Sequence, residues 1–150
     1  MIIERSIRHE FKKLMDSYPV VTITGPRQAG KTTLARMEYP SYRYCNLENP
    51  EIRRLAADDP NAFFHEFKYP LIIDEIQRNP ELLSYIQTIV DEKNEKGMFI
   101  LTGSHQLDLN HAITQSLAGR TALLHLLPFT IGELDGAGIR QERDEYILPK

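Results

Sequence analysis

Tryptophan is absent from the 150 residues, and cysteine occurs once, at Cys45. A single cysteine excludes an intramolecular disulfide and any multi-cysteine zinc site. Long hydrophobic runs are missing: stretches such as Leu71-Ile72-Ile73 fall far short of the ~20 apolar residues that span a bilayer. The opening Met-Ile-Ile-Glu-Arg carries no hydrophobic leader core. Neither sign of charge dominates, with 18 Lys+Arg against 21 Asp+Glu. There is thus no overall basic excess pointing to nucleic acid and no acidic tract pointing to a disordered tail. His9, His65, His105, His111 and His125 show no metal-ligand spacing. No repeat or low-complexity stretch is evident. These absences leave one reduced, cytoplasmic domain with no membrane association as the expectation.

What is present is an alternation of two periodicities. Ile3, Ile7, Phe11 and Leu14 recur at helical spacing and predict an amphipathic helix over 2–16, ended by Tyr18-Pro19. Val20 to Thr24 is β-branched throughout, the pattern of a strand buried on both faces in a parallel sheet. Further strands are expected over 42–47, 69–74, 98–102 and 121–127. Asn49-Pro50, Asp59-Pro60 and Asn79-Pro80 each read as a cap followed by proline at the first helical position. Helices are also expected after Gly30, over 107–117 and, shorter, over 130–135. Strands alternating with helices predict an α/β layer architecture with a mostly parallel sheet of about five strands. The last dozen residues are polar and aperiodic.

Gly25-Pro26-Arg27-Gln28-Ala29-Gly30-Lys31-Thr32 matches G-x-x-x-x-G-K-[ST] in full, between a strand and a helix. Gly25 and Gly30 permit positive φ and close approach of backbone to phosphate. Successive N–H groups then form an anion nest at a helix N-terminus. Lys31 supplies a cation beside the β- and γ-phosphates, and Thr32 a hydroxyl for Mg²⁺. Arg27 either touches phosphate or a neighbouring subunit, or is a solvated loop arginine.

Asp74 and Glu75 close the apolar strand Leu71-Ile72-Ile73, which a parallel sheet delivers to the same edge as the glycine loop. Asp74 suits Mg²⁺ held through water, and Glu75 suits an attacking water that must be oriented and polarised. Thr102 and Ser104 end the next strand, and either hydroxyl can meet that water or the γ-phosphate. Arg120, between a helix and the last strand, can stabilise transition-state charge in cis or from an adjacent subunit. The Tyr39, Tyr42 and Tyr44 cluster, with Arg36 and Arg43, reads as a strand face and helix end; no wider basic stripe makes it a platform for single strands.

GPRQAGKTTL, LIIDEIQ, FILTGS and SLAGR, in that order, resemble the AAA-type P-loop ATPases, and more narrowly a prokaryotic group whose strand reads D-E-I-Q. The resemblance covers residues 2–135 and implies a three-layer P-loop NTPase core. It implies that Gly25, Pro26, Arg27, Gln28, Ala29, Gly30, Lys31, Thr32 and Thr33 bind the phosphates of ATP. Thr32 and Asp74 assist Mg²⁺ and Glu75 activates water. Thr102 or Ser104 is the sensor, Arg120 is finger-like, and Gln77 contacts Glu75 or the γ-phosphate. Members of the group are usually longer, with a C-terminal domain, so residues 136–150 are expected to be a polar tail or truncated linker. ATP over GTP follows from the resemblance, and no guanine-specific Asn-Lys-x-Asp motif is found. The implied function is Mg²⁺-dependent ATP hydrolysis coupled to an unknown protein partner, DNA or that C-terminal domain, in a homo-oligomer. The alternative is a nucleotide-gated switch with little hydrolysis. A kinase acting on a small acceptor is a third reading, without an acceptor signature.

Overall fold

The computed structural model describes residues 5–26, 29–104 and 107–127. The expected helix over 130–135 and the tail over 136–150 lie outside them, as do Arg27 and Gln28. The described elements are α1 (Arg5–Ser17), β1 (Val20–Thr24), α2 (Lys31–Glu38), β2 (Arg43–Asn46), α3 (Pro50–Asp58) and α4 (Pro60–Glu66). They continue with β3 (Leu71–Asp74), a 3₁₀ turn (Ile76–Arg78), α5 (Leu82–Lys93), β4 (Phe99–Gly103), α6 (Leu107–Leu117) and β5 (Thr121–His125).

All strand pairings are parallel, and the strand order is β2-β3-β4-β1-β5. The register aligns the strand ends. Thr24 lies opposite both Gly103 and His125, and Asn46 lies opposite Asp74. The loops that follow β1, β3 and β4 therefore emerge along one edge.

The continuous apolar strands are buried on both faces because each face is covered by helices. Successive side chains alternate between two cores. Val20, Leu71, Ile73, Phe99 and Leu101 pack with residues of α3, α4, α5 and α6, among them Ala56, Phe63, Ile86 and Ile113. Val21, Ile23, Ile72, Ile100 and Leu124 pack with Phe11 and Met15 of α1 and Leu34 and Ala35 of α2. This is a three-layer α/β fold.

Two of the three proline-marked helix starts form as the sequence predicts. Asn49 Oδ1 accepts from the N–H groups of Glu51 and Ile52, at 2.9 and 3.3 Å. Asp59 Oδ1 accepts from Ala62 N–H at 3.1 Å. At Asn79-Pro80 the helix begins later, at Leu82. The 3₁₀ turn after β3 intervenes, and Asn79 closes it with an N–H to the Ile76 carbonyl at 3.0 Å.

Candidate functional site

The glycine loop leaves β1 at Gly25, with φ 156°, and enters α2 at Gly30, with φ 88°. Gly30 is the N-cap of α2 and offers no side chain to cap it. The partial positive charge of that helix end thus faces the loop without a competing side-chain oxygen from the cap residue. A Cβ on Gly25 would run into the carbonyl oxygen of Leu126, so glycine is required sterically as well as conformationally. Lys31 is nearly buried, at 7% exposure. Its ammonium donates to the carbonyls of Gly25 and Pro26, each at 2.9 Å, which holds the cation at the mouth of the loop.

Asp74 is the hub of the site. Its carboxylate, 3% exposed, accepts from three hydroxyls. Thr32 Oγ1 of α2 lies 2.8 Å from both oxygens. Thr102 Oγ1 of β4 lies 2.5 Å from Oδ1. The Tyr44 hydroxyl of β2 lies 2.5 Å from Oδ2. A buried carboxylate needs such donors to offset its lost hydration. The Arg36 guanidinium lies 4.3 Å above the Tyr44 ring centre, a cation–π distance. Burial first, then the hydrogen bond to Asp74 and its charge, push the Tyr44 phenol far above its ordinary range, with Arg36 opposing. Burial and then Asp74 push the neighbouring Cys45 thiol from 9.0 up to about 12.

Glu75 follows in the left-handed conformation, φ 61° and ψ 51°, uncommon for a residue with a Cβ. Its N–H donates to Thr102 Oγ1 at 3.1 Å. Its Oε1 accepts from Gln77 Nε2 at 2.6 Å. The other amide atom, Gln77 Oε1, is buried and unpartnered, as is Ser104 Oγ.

The structure therefore brings Lys31, Thr32, Asp74, Glu75, Thr102 and Ser104 to one sheet edge. Thr102 is fully buried and ties Asp74 to the Glu75 backbone, whereas Ser104 Oγ makes no hydrogen bond among the described residues.

Arg120 is not at this edge, so a finger-like role in cis is excluded. Its carbonyl accepts from Val20 N–H at 3.3 Å, at the amino-terminal edge of the sheet. A strand of five residues, about 15 Å, separates it from the glycine-loop edge. Its guanidinium pairs instead with Asp91 of α5, Nε to Oδ1 at 2.7 Å and Nη2 to Oδ2 at 3.0 Å. That pairing lowers the Asp91 carboxyl below its ordinary value and raises the arginine.

Tyr44 was not anticipated as a site residue. Its register partner is Ile72, so Asp74 stands two residues further along on the same face. Only knowledge that β2 lies beside β3 could have exposed the pairing. The rest of the tyrosine cluster is structural: Tyr39 packs on Phe11 and Tyr42, with ring centres 5.3 and 5.1 Å apart.

Among the described residues no group of three or more His, Cys, Asp and Glu could hold a metal, and no helix is long and apolar enough to cross a membrane.

A parallel α/β sheet with a glycine loop after one strand and an Asp-Glu pair after a near neighbour defines a P-loop nucleoside-triphosphatase architecture. The family model described as "AAA domain" matches residues 17–135, and the chain belongs to that family. Uncharacterized proteins of Mycobacterium tuberculosis and Mycobacterium bovis are each 37% identical to it over 138 residues, 89% of this chain and 31% of theirs. The chain thus spans about a third of the length of these relatives.

Among solved structures it is similar to a Walker-type ATPase of Pyrococcus abyssi, with TM-score 0.59 and 19% identity over 91% of this chain and 58% of that one. AMPPCP-bound DnaA of Aquifex aeolicus gives TM-score 0.55 and 14% identity over 95% and 56%. RuvB of Thermotoga maritima gives 0.54 and 18% over 83% and 45%. At these identities the likeness concerns the fold.

Proposed function

We propose that the chain binds ATP with Mg²⁺ at the β1–α2 loop and hydrolyses it, driving a protein partner, DNA or further domains of a longer protein. The observation that carries this reading is the bond between Thr32 and Asp74. Residues 42 positions apart place a hydroxyl 2.8 Å from a carboxylate, beside a complete phosphate-loop sequence.

These are hard oxygen donors already in contact. They fit a cation that keeps several waters and takes only one or two protein ligands. Thr32 and Asp74 would hold Mg²⁺, which when bound would neutralise phosphate charge. Lys31 exchanges its loop carbonyls for the β- and γ-phosphates. Backbone N–H groups of the loop would cradle the phosphates, Pro26 having none to give. Thr32, Thr102 and Tyr44 fix the Asp74 carboxylate. Glu75 orients a water for in-line attack and takes its proton. Ser104 meets the γ-phosphate or that water as sensor.

The placement of Arg120 favours a second reading. With no finger from its own chain at this residue, a dilute chain behaves as a nucleotide-gated switch until a second copy supplies Arg120.

Mg²⁺-dependent release of phosphate from ATP is the test. Wild type turns over, Lys31→Ala loses binding, and Glu75→Gln binds with only a residual rate of turnover. Full-rate turnover by Glu75→Gln rules out the hydrolytic assignment. Tight binding without turnover, at every chain concentration and with DNA added, leaves the switch.

A further inference from the structure

We infer that Gln77 is a positioning residue that aims Glu75 at its water, and that position 103 is glycine so that the Gln77 carboxamide can stand beside it. The inference rests on the hydrolytic reading above. A carboxylate only accepts hydrogen bonds, so Glu75 Oε1, 2.6 Å from Gln77 Nε2, dictates which way the amide faces. The opposite atom, Gln77 Oε1, is thereby turned into the protein, where it has no partner. A Cβ built on Gly103 would lie 2.9 Å from that oxygen and 2.6 Å from Leu109 Cδ2, so any larger residue there would press the amide away from Glu75.

Two unfavourable features therefore stand within three residues: a glutamate in the left-handed region and a buried amide oxygen without a donor. Folds retain such arrangements where the geometry itself is used. Here both serve one outcome. The left-handed turn at Glu75 starts the 3₁₀ turn, closed by Arg78 N–H to the Glu75 carbonyl at 3.0 Å. That turn brings the side chains of Glu75 and Gln77 together. Thr102 pins the Glu75 backbone, and Gln77 pins its carboxylate. Gln77 touches neither Asp74 nor the glycine loop in any hydrogen bond of the described residues, so it acts through Glu75.

Activity and stability should move apart. Leucine at position 77 removes the orphaned oxygen and keeps the bulk, so Gln77→Leu melts no lower than wild type. It lets the Glu75 carboxylate swing, and turnover falls roughly 10- to 100-fold. KM for ATP and affinity for a fluorescent ADP analogue stay within about twofold, since the phosphate-binding groups are untouched. In a Glu75→Gln background, adding Gln77→Leu produces no further loss. Gly103→Ala, which disturbs the amide from the other side, lowers turnover at unchanged ADP affinity and serves should Gln77→Leu fail to fold.

Wild-type turnover in Gln77→Leu, losses that track the melting temperature, or losses that multiply with Glu75→Gln overturn the positioning role alone. Absence of turnover in wild type overturns the hydrolytic reading and this role with it.

Discussion

Tyr44 of β2 and Asp74 of β3 are joined by a 2.5 Å hydrogen bond from the phenol to Oδ2. The bond ties the outer strand to the carboxylate that Thr32 reaches from the glycine-loop helix. The site is thus braced laterally across the sheet as well as along its edge.

Tyr44→Phe keeps the ring under Arg36 and removes only the donor. Hydrogen bonds to charged groups contribute about 1.5–3 kcal/mol, and Tyr44 is partly solvent-accessible. A loss of about 1–2 kcal/mol is expected, read from the urea midpoint. An unchanged midpoint would show that Thr32 and Thr102 alone satisfy Asp74.

Gly25 and Gly119 both have positive φ, 156° and 77°, but different surroundings. Alanine at 119 meets nothing within 4 Å and pays only backbone strain, about 1–2 kcal/mol. Alanine at 25 adds a collision with the Leu126 carbonyl, so its cost exceeds about 3 kcal/mol and phosphate binding fails. Thermal melts of the two variants check the order; equal costs would refute the steric account.

Arg120→Ala removes an exposed pair with Asp91, a kind that contributes little to folding. The melting temperature stays close to wild type, and so does turnover of the dilute chain. If turnover of wild type rises with chain concentration, Arg120→Ala abolishes the rise. A dilute-chain defect without loss of stability would restore a role in cis.

The raised Cys45 thiol makes stability fall in alkali. Its pKa is higher in the folded chain, about 12 against 9.0, so the protonated form favours folding. That contribution is complete below about pH 9 and is lost as pH rises through 12. Tyr39, raised from 10.0 to about 12 chiefly by burial, adds a loss that begins near pH 10. Urea midpoints measured from pH 8 to 11.5 should decline, and Cys45→Ala should flatten the part between 9 and 10. At pH 8 the native thiol should resist an aromatic disulfide reagent that modifies it in urea.

Several of these relationships were legible before any coordinates. The β-branched run at Val20 to Thr24 and the caps at Asn49 and Asp59 depend on neighbours a few residues away, and they form where the pattern places them. Asn79-Pro80 has the same local chemistry, but the turn that follows Glu75 claims Asn79, and the helix waits until Leu82. The edge on which Arg120 lies was also readable from chain order. The glycine loop follows its strand, whereas Arg120 precedes one, and in a parallel sheet those positions lie at opposite ends.

Local chemistry along the chain determined the elements, the phosphate loop and the acidic pair, because each is encoded by residues within one or two turns of one another. Tertiary structure alone decided that β2 lies beside β3, that Thr32, Tyr44 and Thr102 share one carboxylate, and that Gln77 fits beside Gly103. Those contacts depend on strand order and register, which arise from burying two apolar faces at once. No single segment carries that requirement.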